Sequence, residues 1–204
     1  MGAVGGRPGL ALNKGRGAMS SSGNMLYIDN SNIFRGCKRS GWRPSYRKIR
    51  DFLEGSEGPI NGIHFFASEQ EVPRDKQARF YTSLREELGF DLHTFRLAHR
   101  KVTCPACGHE EWIPAEKGVD VGLVTQLFRD LRQDRFATAL VMSSDRDYLD
   151  ALMEVADSGR QVKIVAWRWT LAPETIQLCQ RRNIGLIFLE DFRDQLEKPQ
   201  GAVL

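Results

Sequence analysis

The sequence predicts an α/β fold in which helices cover both faces of a mostly parallel sheet. Short apolar runs of strand length alternate along the chain with amphipathic stretches of helical length. This alternation is typical of β–α–β units, in which each helix returns the chain to the same edge of the sheet and the strands run parallel. A chain of 204 residues is long enough to bury one core of this kind.

Six segments are predicted as strands because they carry apolar runs or alternate apolar with polar residues. They are residues 25–28, 60–68, 91–97, 138–142, 161–167 and 184–189. Five segments are predicted as helices because apolar residues recur at helical spacing. They are residues 45–56, 74–88, 119–131, 148–156 and 173–182, and the C-terminal end is expected to be helical as well. Residues 98–116 do not follow the alternation, and we expect an inserted hairpin there.

The folded domain is expected to occupy residues 25–197. Residues 1–24 are rich in Gly and Ser and lack the sustained apolar run of a secretory signal, which favours a flexible N-terminal tail. Residues 198–204 are expected to form a short C-terminal tail. No apolar run approaches the roughly 20 residues that a membrane span needs, so we expect no membrane segment.

The composition indicates the type of cellular compartment and, weakly, the class of partner. Four cysteines in a chain of this length suggest no disulfide framework, so a reducing compartment and a cytoplasmic location are expected. The formal net charge is +3 and the isoelectric point is near 8.7, which points only weakly to a nucleic-acid partner.

Four aspartates are expected to meet at one edge of the sheet. Asp29 directly follows the first predicted strand, and Asp120 lies at the start of the third predicted helix. Asp145 and Asp147 follow the fourth strand. In parallel α/β sheets the ligand crevice lies beyond the carboxyl ends of the strands. Crowded carboxylates repel each other and lose hydration, and a cation that accepts hard oxygen ligands, Mg²⁺ or Mn²⁺, would neutralise them.

The plainer interpretation is that each of these acids stabilises a helix end. Asp29 and Asp145 would then be N-caps, while Asp120 and Asp147 would be favourable charges in a first helical turn. That interpretation must treat the meeting of four acids at one edge as a coincidence, and the clustering favours a functional site.

The segment that follows Asp29 is rich in cations, with Trp42 and Tyr46 interleaved. Cations that bind phosphate and aromatic rings that stack on bases, placed beside a hydrolytic centre, suit single-stranded nucleic acid. The cations predicted to bind nucleic acid are Arg35, Lys38, Arg39, Arg43, Arg47 and Lys117. The alternative is an ordinary solvated helix face.

The inserted hairpin carries a candidate zinc site. Cys104 and Cys107 have the spacing of a zinc knuckle, and His109 is close in sequence. Structural zinc takes four ligands and a second Cys pair is missing, so His93 or His99 would have to complete the set. Alternatively, the hairpin tip carries two reduced thiols and contacts substrate or a second copy of the chain, which makes a homodimer one of the expected assemblies.

Three motifs together resemble the NYN domain family, which is the LabA-like branch of the PIN-like nucleases. They are YIDNSNIF at residues 27–34, EKGVDVGLVTQL at 116–127 and SSDRDYLDALMEVADSGRQVKIV at 143–165. The resemblance runs from about residue 25 to about residue 189. It implies a PIN-like three-layer sandwich and a ribonuclease that hydrolyses RNA phosphodiester bonds with Mg²⁺ or Mn²⁺.

The resemblance also implies roles for single residues. Asp29, Asp120, Asp145 and Asp147 match the family's acids, and Asn32 matches its nearby polar residue. Asn32 would orient a water or a phosphate oxygen, or hold Asp29 itself.

The chain departs from the family pattern at two positions. Ser144 stands where the third motif usually has Gly, and Tyr148 stands where it has Phe. The competing function is a non-catalytic RNA- or protein-binding module that keeps the PIN-like fold.

Overall fold

The computed structural model describes residues 23–70, 75–199 and 201. Its strands are β1 (Asn24–Asp29), β2 (Ile60–Glu69), β3 (Asp91–Arg96), β4 (Ala98–Thr103), β5 (Glu110–Ala115), β6 (Thr138–Met142), β7 (Gln161–Ala166) and β8 (Gly185–Phe188). Six of them form one parallel sheet in the order β3-β2-β1-β6-β7-β8. The predicted parallel α/β fold is therefore confirmed. The expected tails fall largely outside the described residues, at 1–22, 200 and 202–204.

Seven helices cover the two faces of this sheet in the part of the chain described. They are α1 (Asn30–Ser40), α2 (Tyr46–Glu57), α3 (Asp75–Glu86), α4 (Val119–Arg132), α5 (Leu149–Asp157), α6 (Pro173–Arg181) and α7 (Arg193–Leu196). Buried residues of α1, α2, α3 and α7 pack in one core cluster, and those of α4, α5 and α6 pack in another. The result is a three-layer sandwich. Within the described residues, no helix combines the length and the apolar character needed to cross a membrane.

Strand β1 lies at the centre of the sheet and places its last residue at the centre of the sheet edge. Leu26 and Ile28 belong to one core cluster, while Met25 and Tyr27 belong to the other. Because both faces are covered, the strand is apolar on both sides. The strand order reverses between β1 and β6, so the end of β1, at Asp29, lies at the topological switch point where ligands bind in such sheets.

Helix α1 is a structural element that the sequence analysis missed. Its apolar stripe is narrow, since only Ile33, Gly36 and Cys37 are buried. The helix is instead defined by its ends. The Asp29 carboxylate accepts a hydrogen bond from the Asn32 backbone N–H, and Gly41 ends the helix in the left-handed conformation with φ of 76°.

The closest packing of α1 on the sheet occurs at Gly36, and we expect Gly36→Ala to lower the free energy of unfolding by about 2 kcal/mol. A methyl group there would lie 1.9 Å from Nε1 of the buried Trp167, whose N–H donates to the Ile33 carbonyl. Overpacking of this severity costs about 3 kcal/mol, which outweighs the gain of about 1 kcal/mol from the better helix former.

Chemical unfolding of the variant and the parent measures this cost. Gly55→Ala is the matched control, because Gly55 lies within α2 and a methyl group there meets no atom within 4 Å. It should raise stability by roughly 0.5–1 kcal/mol. Equal effects of the two substitutions would contradict the packing argument.

The predicted inserted hairpin is confirmed as a separate two-stranded sheet. Strands β4 and β5 pair antiparallel, with Ala98 opposite Ala115 and Thr103 opposite Glu110. The hairpin lies between β3 and α4 in the chain, so it leads directly to the helix that begins with Val119 and Asp120.

Candidate metal centre

Three of the predicted aspartates come together at the switch point. One carboxylate oxygen from each of Asp29, Asp120 and Asp145 lies within 4.8 Å of the other two. Asp29 ends β1, Asp120 lies in the first turn of α4, and Asp145 follows β6. Three separate elements therefore converge on a volume small enough for one cation. We call these three residues the acid cluster.

Asp29 is the buried member of the acid cluster, with 2% of its surface exposed. Its Oδ1 accepts from the Asn32 backbone N–H at 3.1 Å, and its Oδ2 accepts from the Ser143 hydroxyl at 3.3 Å. Burial raises the pKa of Asp29, and the negative charges of Asp120 and Glu116 add to that rise, although the hydrogen bonds oppose it. The site thus holds a carboxylate whose negative charge is costly in the absence of a cation.

Tyr148 joins two of the acids through its hydroxyl. This buried group lies 2.8 Å from Asp120 Oδ1 and 3.3 Å from Asp29 Oδ2. Burial, followed by the charge of Asp29, raises the pKa of Tyr148, so the hydroxyl keeps its proton. Because a hydroxyl has one proton to donate, one carboxylate receives it and the other makes a weaker contact. The family's Phe at this position would leave both acids without this donor.

We expect Tyr148→Phe to lower the free energy of unfolding by about 1–2 kcal/mol when a chelator is present, because Asp29 and Asp120 lose the buried hydroxyl donor that lies between them. A divalent cation that binds the acid cluster would compensate both carboxylates, so the difference should narrow when Mn²⁺ is added. Urea unfolding in each condition measures it. The same difference with and without Mn²⁺ would contradict this account of the hydroxyl.

Asn32 and Ser144 fix each other beside the acid cluster. Asn32 Oδ1 accepts from the Ser144 backbone N–H at 3.0 Å and from the Ser144 hydroxyl at 2.8 Å. The serine that replaces the family's Gly therefore supplies a second donor to Asn32. Because this oxygen is engaged, the group of Asn32 suited to a ligand is the Nδ2 donor, which matches a phosphate oxygen rather than a cation.

Asp147 lies outside the acid cluster. Its side chain is exposed, and its backbone N–H donates to Asp145 Oδ1 at 3.1 Å, which makes Asp145 the N-cap of the short 3-10 helix Arg146–Tyr148. The structure thus brings together three of the four predicted acids. The backbone N–H of the fourth, Asp147, holds the carboxylate of Asp145 in its orientation.

Glu116 is a nearby acid that the sequence analysis did not single out. It accepts a hydrogen bond from the hydroxyl of Ser31, two residues after Asp29, and its charge reaches Asp29. Glu116 immediately precedes Lys117 in the second motif, so its closeness to Asp120 along the chain was a usable signal.

A cavity of about 860 Å³ adjoins the acid cluster on the side of α1 and α3. Its lining includes Glu116 as well as Asn30 and Ser31, which directly follow Asp29 in the chain. The basic residues that line it are Arg43, Lys76, Arg79 and Lys198. The aromatic residues that line it are Phe34, Tyr46, Phe80 and Tyr81. Cations and aromatic rings thus share one concave surface, and its wall at Asn30 and Ser31 directly follows Asp29 in the chain.

The match to a known family comes from the sequence over most of the folded chain. The model of the NYN domain family matches residues 24–184. The chain belongs to the NYN domain family. The resemblance drawn from the three motifs is thereby confirmed. Among curated proteins, none matches the chain in sequence.

A solved structure supports the fold of this NYN domain. The crystal structure of a protein of unknown function from Vibrio parahaemolyticus superposes with a TM-score of 0.64 at 14% sequence identity. The alignment covers 90% of this chain and 99% of that one. At this identity the likeness establishes a shared fold.

The predicted nucleic-acid-binding cations of the NYN domain are all exposed, and one of them, Arg43, lines the cavity. Arg35, Lys38, Arg39, Arg43, Arg47 and Lys117 all have exposed side chains. Arg43 lines the cavity and lies over the Phe34 ring at 5.2 Å. Arg47 pairs with Glu87 at 3.3 Å, and Arg39 lies over Trp169 at 4.2 Å.

The cavity cations Lys76 and Arg79 were missed by the sequence analysis. They lie on α3, three residues apart, next to Phe80 and Tyr81. Two basic residues are followed directly by two aromatic residues in this short helical stretch, and that combination was a usable signal. Lys198 approaches from the C-terminal end of the chain, where its backbone N–H donates to the Arg43 carbonyl at 2.8 Å.

The candidate zinc ligands of the hairpin do not assemble into a set of three. Among the residues described, the acid cluster is the group of three or more metal-ligating side chains, and Cys104, Cys107 and His109 are not such a group. Cys104 and His109 instead contact through the backbone, where the Cys104 N–H donates to the His109 carbonyl at 2.8 Å. His109 is thus not placed beside the two thiols as a third ligand.

Proposed function

We propose that this NYN domain is a metal-dependent ribonuclease whose hydrolytic centre is the acid cluster. The observation that carries the proposal is the convergence of Asp29, Asp120 and Asp145 at the switch point of the sheet. Membership of the NYN family supports a PIN-like nuclease. The adjoining basic and aromatic cavity supports a nucleic-acid substrate.

The donor set fits Mg²⁺ or Mn²⁺. All three donor groups are carboxylate oxygens, which these hard cations prefer. After burial, the negative charges of Asp120 and Glu116 raise the pKa of Asp29, and a bound cation would offset those charges. When bound, such a cation would polarise the phosphodiester and supply a water of lowered pKa.

The residues of the chain would position the substrate around that centre. Asn32, with its oxygen held by Ser144, would donate through Nδ2 to a phosphate oxygen. Tyr148 would hold Asp29 and Asp120 in place through its protonated hydroxyl. Asp145 would be kept in its orientation by the backbone N–H of Asp147, and Asp147 itself would act from outside the cluster by positioning a water.

The substrate would be single-stranded RNA that passes along the cavity. The cavity-lining cations Arg43, Lys76 and Arg79 would contact phosphates. Phe34 and Phe80 would offer faces on which unpaired bases stack. A duplex keeps its bases stacked on each other, so it would gain nothing from these rings.

The test is a cleavage assay with a fluorescent single-stranded RNA oligonucleotide and the same sequence as a duplex. We expect cleavage of the single strand with Mn²⁺ or Mg²⁺, none with chelator, and slower cleavage of the duplex. Binding without cleavage under every metal condition would reject the ribonuclease and favour the non-catalytic RNA-binding module.

A further inference from the structure

The tip of the inserted hairpin carries two accessible thiols on one turn. Cys104 and Cys107 are three residues apart between β4 and β5, and Cys107 is exposed. The turn is closed by the Gly108 N–H, which donates to the Cys104 carbonyl at 2.9 Å, and Gly108 itself has φ of 71°. Two cysteines at this spacing on one turn are a common half of a structural zinc site, which takes four ligands.

The base of the tip is also held in place. Lys101 Nζ lies 2.6 Å from the Glu110 carboxylate, and the Cys104 N–H donates to the His109 carbonyl. Both strands are thus tied together directly below the two thiols. The pair of sulfurs is presented on a defined turn rather than on an irregular loop.

Within the described residues, no further cysteine, histidine, aspartate or glutamate joins the two thiols as a third ligand. The chain contains four cysteines and four histidines. Cys37 and Cys179 are buried in the two core clusters. His64 is buried in β2, where its Nδ1 lies 3.0 Å from His93 Nε2.

The two histidines proposed as a further ligand also lie elsewhere. The His93 ring stacks on Phe66 at 4.5 Å in the main sheet. His99 lies in β4 opposite Pro114, five residues from Cys104 along an extended strand, which is about 16 Å. With His109 outside a three-ligand group, one chain offers zinc two sulfurs.

We propose that Cys104 and Cys107 bind zinc together with the same two cysteines of a second copy, so that one Zn²⁺ is held by four thiolates in a homodimer. Structural zinc takes four ligands in a tetrahedron, and two identical pairs related by a two-fold axis complete it. Each thiol gives up its proton to the solvent, so one zinc ion displaces up to four protons from the dimer. This site is independent of the ribonuclease proposal.

The experiment uses the full chain, purified under reducing conditions and reconstituted with zinc. Elemental analysis gives the zinc content per chain, and light scattering gives the mass in solution. We expect about 0.5 zinc per chain, the mass of a dimer, and the mass of a single chain after chelation. Co²⁺ in place of zinc should give the absorption spectrum of a tetrahedral four-thiolate site.

Variants separate this site from its rivals. Cys104→Ser and Cys107→Ser should each lose both the zinc and the dimer. His109→Ala should keep both, and Asp120→Asn should keep the zinc because the acid cluster is a different site. One zinc per single chain, loss of zinc in His109→Ala, a dimer that persists without metal, or no zinc after reconstitution would each overturn the proposal.

Discussion

Asp29→Asn is expected to reduce metal-dependent cleavage of single-stranded RNA by roughly 1,000-fold. The substitution replaces a negatively charged ligand with a neutral amide, and it removes about 4 kcal/mol of the stabilisation that a bound cation gives the transition state. Single-turnover cleavage at saturating enzyme, measured across a range of Mn²⁺ concentrations, separates this loss from weaker RNA binding.

The same substitution should leave the fold intact. Asn at position 29 can still accept from the Asn32 backbone N–H, so the cap of α1 is kept. The neutral side chain also removes repulsion with Asp120 and Glu116, so the metal-free variant should unfold at or above the temperature of the parent.

Two other acids test whether the position of the charge matters. Asp150→Asn is the matched control, because Asp150 is exposed in the first turn of α5 and should change cleavage less than twofold. Asp147→Asn should have an intermediate effect, because Asp147 lies outside the acid cluster but next to it in the chain. Equal cleavage by Asp29→Asn and the parent would reject the acid cluster as the hydrolytic centre.

Reversing two cavity cations, Arg43→Glu with Arg79→Glu, is expected to weaken binding of single-stranded RNA about 100-fold. Each lost contact to a phosphate costs about 1.5 kcal/mol. The slope of log affinity against log salt should also become shallower by about 1.4, because roughly 0.7 counterion is released per phosphate contact in single strands. Fluorescence anisotropy at several salt concentrations measures both, in an Asp29→Asn background that prevents cleavage.

The control is Arg132→Glu with Arg181→Glu, which makes the same change in net charge on the opposite helical layer. Both residues are exposed, on α4 and α6. If this control weakened binding as much as the cavity variant, the effect would be one of net charge and the cavity would not be the path of the RNA. Arg47→Glu should also have a small effect, since Arg47 pairs with Glu87.

The fold was largely predictable because its buried strands and its amphipathic helices each leave a pattern in a short stretch of sequence. Parallel strands buried on both faces give continuous apolar runs, as in β6, where every residue is buried. Amphipathic helices give regular spacing, as in α2. Helix α1 was not predicted because its narrow apolar stripe contains Gly36 and its first turn carries the amides Asn30 and Asn32. Its stability comes from its caps and from the contact with Trp167.

The acids of the candidate site were partly predictable for the same reason. Asp29 and Asp145 follow apolar strands whose ends must meet at one edge, and the motif order identified Asp120. The exclusion of Asp147 was not predictable. Asp145 and Asp147 are two residues apart, and only the 3-10 helix that starts between them sends one carboxylate to the cluster and leaves the other in solvent.

Contacts between distant segments were beyond the reach of the sequence. The cavity joins α1, α3 and the chain near Lys198, and no periodicity records that these segments meet. The same holds for buried Asp130, which accepts from the Tyr27 hydroxyl at 2.9 Å and from Gln126 at 3.0 Å within the core. A carboxylate on a helix face would ordinarily be assigned to solvent.

The most direct test of the acid cluster as a metal centre is a crystal structure of the chain grown with Mn²⁺, with anomalous diffraction recorded to locate the ion. The account predicts an anomalous peak among Asp29, Asp120 and Asp145, at about 2.2 Å from a carboxylate oxygen of each, and no such peak in Asp29→Asn crystals. An empty acid cluster at a Mn²⁺ concentration that supports cleavage, or a cation bound elsewhere that the cleavage requires, would contradict it.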